Sequence, residues 1–160
     1  MEGHSGTRAA SLESDSVLSG SFRDSAVAEA FAKEGKVDKA APLLARAFTF
    51  LKQNDERYVE AELERIAGEI ELHRARLGAD DAESSWNAAE DAFRRAMATG
   101  AASGAKSLRL RAAMSLARLL ASQRRKAEAV RILHGEYEDF SEGFETPDLI
   151  RARALLDQLS

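Results

Sequence analysis

The chain has 160 residues, 27 Asp+Glu against 23 Lys+Arg, a net charge of −4 and no Cys. The length suits one domain, the missing cysteine excludes disulfides, thiolate metal sites and a thiol nucleophile, and the acidic balance argues against a general nucleic-acid binder, which must neutralise phosphates with a cationic surface. With 31 Ala and 18 Leu against 5 Val, 4 Ile and 4 Thr, helix formers outnumber β-branched residues so heavily that the composition predicts an all-α protein.

The first 20 residues are rich in Ser and Gly and poor in large apolar side chains. They cannot bury enough surface to offset chain entropy, so a disordered segment is expected over 1–24 and a helical domain over 25–160. Val17-Leu18 is too short for the apolar core of a secretory signal, and no apolar run approaches the roughly 20 residues that cross a bilayer. The expected location is the cytoplasm, without membrane contact.

A first helix is predicted over 25–34, with Val27, Ala28 and Phe31 as its apolar stripe and Gly35 placed to end it in a left-handed turn. The second carries Ala40, Leu43, Leu44, Ala47, Phe48 and Leu51 on one face, with Pro42 near the end of its first turn, where a missing N–H costs least. Asn54 and Asp55 offer N-caps to a long third helix over 56–77, lined by Val59, Leu63, Ile66, Ile70 and Leu77 and ended by Gly78. The fourth begins near 81–85 and presents Trp86, Ala89, Phe93 and Ala96 before a small-residue turn over 99–104. A fifth, over 107–122, presents Leu110, Ala113, Leu116, Ala117 and Leu120; a sixth, over 126–139, presents Ala129, Val130, Leu133 and Tyr137. Thr146-Pro147-Asp148 is a strong start for a seventh helix: Thr caps, Pro suits the first helical position, and Asp opposes the positive end of the dipole.

Paired as hairpins, these helices carry a recurring set of small and large positions. Gly35, Ala40, Leu44 and Ala47 fill the turn and second-helix slots of a tetratricopeptide unit. Ile66, Gly68, Ala89, Phe93 and Ala96 fill those of a second, and Leu116, Ala117, Leu120, Ala129 and Leu133 those of a third. Ala or Gly where helices cross lets backbones approach, and the large neighbour fills the hole that remains. The spacing is irregular, so the second hairpin must be lengthened around 72–81.

The run from Glu60 to Glu69, the stretch from Ala89 to Ala96, the stretch from Gly104 to Ala113 and, most specifically, the tail from Tyr137 to Leu149 resemble the C-terminal tetratricopeptide region of large bacterial signalling proteins. Those proteins join a class III adenylate/guanylate cyclase domain or a winged-helix DNA-binding domain to a signal-transducing P-loop ATPase and then to helical repeats. The resemblance covers about 25–160. It implies about three hairpins in a short right-handed solenoid with a C-terminal capping helix, approached through Phe140 and Phe144. It also implies a non-enzymatic scaffold for protein–protein contacts, without cyclase or ATPase activity of its own. The other reading is a truncated C-terminal fragment of a cyclase–ATPase or transcriptional regulator that needs the missing domains.

In such arrays the first helix of each hairpin lines a concave groove. The groove slots fall on Glu29, on Glu62, Arg65, Glu69 and His73, and on Arg111, Met114 and Arg118. The implied partner is a protein or peptide, cyclase or ATPase domains among the candidates. The first helix would present an uncovered edge, with Phe22 and Phe31 available, and self-association or marginal stability is expected there.

Other chemistry is weakly supported. Gly100 to Ser107 is the nearest thing to a phosphate loop, but it has three residues between its glycines and Ala105 before the lysine, and no strand precedes it. His73 with Glu69 makes half a metal site at most, so no metal and no cofactor is expected. No G-x-S-x-G elbow occurs. From 106 to 131 there are 8 bases and one acid, and from 132 to 148 there are 6 acids and no base. The basic block has no aromatic for stacking on bases, so the two blocks are expected to pair with each other rather than with nucleic acid.

Overall fold

A computed structural model of the chain describes residues 22–55, 57–78 and 80–160. Among these residues the fold is all-helical, with seven helices and no strand: α1 over 22–33, α2 Val37–Asn54, α3 Arg57–Arg76, α4 Ala82–Ala102, α5 Lys106–Ser122, α6 Lys126–Glu138 and α7 Pro147–Leu159. No helix among the described residues is long and apolar enough to cross a membrane.

Periodicity places the core. Ala28, Ala40, Ala89, Ala117 and Ala129 are fully buried at helix crossings, beside Leu63, Phe93, Leu116, Leu120 and Leu133. Two apolar clusters result. One joins α1, α2 and most of α3; the other joins α4 to α7 and takes Leu72 from the far end of α3. Each helix from α2 to α7 packs on the next in the chain. In addition α3 touches α5 and α5 touches α7, whereas the Cα traces of α2, α4 and α6 stay more than 8 Å apart. The odd-numbered helices therefore form a contiguous layer and the even-numbered ones a splayed layer.

The lengthened hairpin lies where expected, in α3 and α4. Their tight contact depends on Gly68, where an added Cβ would stand 2.5 Å from a ring carbon of Phe93. Gly100 does the same for α4 and α5, since its Cβ would stand 3.0 Å from the Cβ of Arg109.

Three connections share one geometry. Gly35, Gly104 and Arg124 adopt left-handed φ of 72°, 70° and 64°. In each, the following amide donates to the carbonyl five residues back, at 2.8 Å for Lys36, 2.9 Å for Ala105 and 2.8 Å for Arg125. This is the Schellman closure, and it satisfies carbonyls that a helix end leaves open. Arg124 alone does so without glycine's freedom. Arg124→Gly is expected to stabilise the chain by roughly 0.5–1 kcal/mol, relief of left-handed strain outweighing the looser unfolded chain. Thermal unfolding would register this as a raised Tm, and an unchanged or lowered Tm would refute it.

Several boundaries differ from expectation. The domain start expected at residue 25 falls inside α1: residues 22–24 are helical, and Asp24 is 6% exposed and held bidentately by Arg46 at 2.6 Å. The expected disorder over 1–21 lies outside the described residues. Asp55, expected as a cap for α3, ends α2 in a left-handed conformation. The expected turn over 99–104 contracts, because the Ala-rich stretch through Ala102 continues α4. Thr146 makes no side-chain cap bond, although Pro147 opens α7 as expected.

Candidate functional site

A groove of about 540 Å³ runs across the contiguous layer. Helical spacing builds its walls. Glu29 and Lys33 come from α1, Arg65, Glu69, Leu72 and Arg76 from α3, Arg111, Met114, Ser115 and Arg118 from α5, and Asp148 and Arg151 from α7. Positions 65, 69, 72 and 76 repeat every three or four residues and so share one face of α3.

Arg65 is the centre. It is 6% exposed and contacts Glu29 on α1 and Glu62 on its own helix, both at 2.7 Å, with Glu69 at 3.6 Å. Burial opposes its charge, but the hydrogen bonds and fields of Glu62 and Glu29 more than reverse that, and the guanidinium is held above its ordinary pKa. Burial likewise opposes ionisation of Glu29, and the charge and hydrogen bond of Arg65 overcome it, so this carboxyl sits below its usual value.

The chain of polar contacts continues across the layer. Ser115 donates to Glu69 at 2.6 Å, and Arg111 bridges Asp148 at 2.8 Å and Glu62 at 3.7 Å. Arg118 and Arg76 are different: neither has a carboxylate partner among the described residues. Arg118 is exposed, yet partial burial of its guanidinium holds its pKa below the ordinary value, with Glu69 offsetting part of this and Arg65 and Arg151 adding repulsion.

Six of the eight groove residues expected from the sequence, Glu29, Arg65, Glu69, Arg111, Met114 and Arg118, line this groove. Glu62 lies just behind it, tied to Arg65 and Arg111. His73 is half-buried on α3 and does not line it. Sequence reasoning missed Lys33, Leu72, Arg76, Ser115, Asp148 and Arg151. Continuing the three-and-four spacing along α3 would have found Leu72 and Arg76. Treating α7 as a cap hid its contribution, although as the fourth alternate helix it also faces the groove.

The remaining candidates acquire structural surroundings. Gly100 is helical and packed on Arg109, inside the segment that resembled a phosphate loop. Among the described residues no group of three or more His, Cys, Asp and Glu is placed to hold a metal ion. The basic and acidic blocks meet: Arg109 pairs with Glu136 and Asp139, and Arg111 with Asp148. Phe140 packs on the second core, while Phe144 is 45% exposed with its ring 5.7 Å from that of Tyr137. On α1, Phe22 is 64% and Val27 40% exposed.

Glu64, at the α3–α4 contact, has a buried carboxylate oxygen without a partner. Burial raises its pKa, Glu60 adds to the rise, and Thr99 and Arg95 only partly offset it. A carboxyl whose folded pKa is raised stabilises the fold while protonated, and that contribution is lost as pH rises through the folded value. Glu64→Gln is therefore expected to raise the Tm at neutral pH and to leave it unchanged in acid, below the ordinary glutamate value of 4.5. Equal effects at both pH values would count against this assignment.

No protein-family model, curated protein or solved structure matches the chain.

Proposed function

We propose that the chain is a non-enzymatic helical-repeat scaffold, a short tetratricopeptide-like solenoid whose groove receives a segment of a partner protein. The observation that carries this reading is the layering. Odd-numbered helices touch one another in succession and even-numbered ones do not, which curves the stack and leaves one face as a groove. Most of its carboxylates are already committed: Glu29 and Glu62 hold Arg65, and Asp148 holds Arg111. Groups engaged in this way serve binding and rigidity better than proton transfer. The setting we propose is a bacterial signalling or regulatory assembly in the cytoplasm, with cyclase or ATPase domains as partners. Its support is the residue pattern from Tyr137 to Leu149.

A photo-crosslinking amino acid at Met114, in the groove, tests the scaffold reading against one at Ala127 on the exposed side of α6. In cells, a discrete protein adduct is expected at Met114 and not at Ala127, and Arg118→Glu is expected to abolish it. Adducts indifferent to position, or unaffected by Arg118→Glu, would reject the groove as the binding face.

A further inference from the structure

We infer that the groove selects an acidic peptide segment, seated by carboxylates on the uncommitted arginines Arg118 and Arg76. This rests on the scaffold reading above and specifies its partner.

The argument is one of charge accounting within a single concavity. The chain as a whole is acidic, at −4, yet the groove is lined by six bases and only three acids. The pairs do not cancel evenly. Arg65 takes Glu29, Glu62 and Glu69, Arg111 takes Asp148 and Glu62, and Lys33 takes Glu29 at 3.0 Å. Arg151 reaches Asp148 only at 3.8 Å, on the side away from the Arg111 contact. Every groove carboxylate thus already has a cation within the groove. Arg118 and Arg76 are left without one among the described residues, so unpaired positive charge remains on the groove faces of α3 and α5.

Around Arg118, partial burial and the neighbouring guanidinium groups of Arg65 and Arg151 disfavour the charge. A ligand carboxylate relieves that repulsion and adds charge-assisted hydrogen bonds. Leu72 and Met114 between the bases are 3% and 4% exposed and packed into the second core, so an occupant is recognised by its carboxylates rather than by apolar side chains. The net acidity outside the groove repels anionic segments elsewhere and confines attraction to this face.

The probe is a fluorescein-labelled peptide of alternating Glu and Leu, followed by anisotropy and compared with the same peptide carrying Gln at every Glu. The Glu peptide is expected to bind, more weakly as salt rises, and the Gln peptide to bind at least about tenfold more weakly. Arg118→Ala and Arg76→Ala break no ion pair of the fold, and each is expected to weaken the Glu peptide by about tenfold. Arg131→Ala, an exposed base on α6, is expected to change nothing. Circular dichroism confirms that each variant remains folded. Wild-type affinity in Arg118→Ala and Arg76→Ala would overturn the inference. Equal binding of both peptides, with each crosslinking at Met114, would overturn the acidic preference and leave the scaffold reading standing. Failure of both peptides to bind or crosslink would count against both. An oligothymidylate bound as tightly as the Glu peptide would replace the peptide with a nucleic acid as the occupant.

Discussion

Arg65→Ala is expected to destabilise the chain by roughly 3–5 kcal/mol at neutral pH, the range for removing one partner of a buried ion-pair cluster. The side chain is 6% exposed and holds carboxylates from two helices, so its loss leaves Glu29 with only the exposed Lys33 and Glu62 with only the longer Arg111 contact. The sign of the pH dependence follows from Glu29. Its folded pKa is depressed, so its contribution is present above the ordinary glutamate value of 4.5 and is lost as pH falls through the lower folded value. The gap between wild type and Arg65→Ala should therefore narrow in acid, where the stranded carboxylates become neutral. Urea unfolding at neutral and acidic pH measures both quantities. A loss below about 1 kcal/mol, the scale of a surface pair, would mean that the cluster is solvated and does not join the helices.

Gly68→Ala is the second large effect, and it runs against helix propensity. Alanine favours a helix interior by about 1 kcal/mol over glycine. Here the new methyl would stand 2.5, 2.7 and 3.0 Å from three carbons of the Phe93 ring, which is fully buried. Overpacking of that kind costs about 1–3 kcal/mol, so the net expectation is a loss of roughly 1–2 kcal/mol. Phe93→Leu shortens the opposing side chain and should destabilise alone by opening a cavity. Combined, the two substitutions should cost less than the sum of their separate effects by about 1 kcal/mol, because each relieves the other. Simple additivity in thermal or urea unfolding would show that the Gly68–Phe93 contact is not the source.

Much of this architecture can be read from spacing alone. The alanines expected at helix crossings are fully buried, and Gly68 stands against Phe93 where a small residue was required. The groove residues on α3 and α5 follow from the same periodicity. What escaped depended on information that periodicity does not carry. Asp24 reads as part of a polar leader because its partner Arg46 is 22 residues away. Gly100 reads as a turn glycine because nothing local reveals that Arg109 will press against it. Asp148 reads as a dipole-compensating first-turn residue, yet it also reaches Arg111 across the α5–α7 contact. His73 fell outside the groove, even though its spacing from Glu69 is helical, because the groove follows the row through Leu72 and Arg76.

The two apolar clusters meet along α3, and this has a consequence for how the molecule comes apart. The α1–α2 hairpin has its own cluster against α3, whereas α4 to α7 keep theirs when that hairpin leaves. Partial opening from this end removes Glu29 and Lys33, one wall of the groove, while Arg76 and Arg118 remain on helices that stay folded. A ligand that reaches from Arg118 to Lys33 then acts as a splint across the weaker seam. Occupancy and the integrity of the amino-terminal hairpin become a single equilibrium, with each raising the other to the same degree.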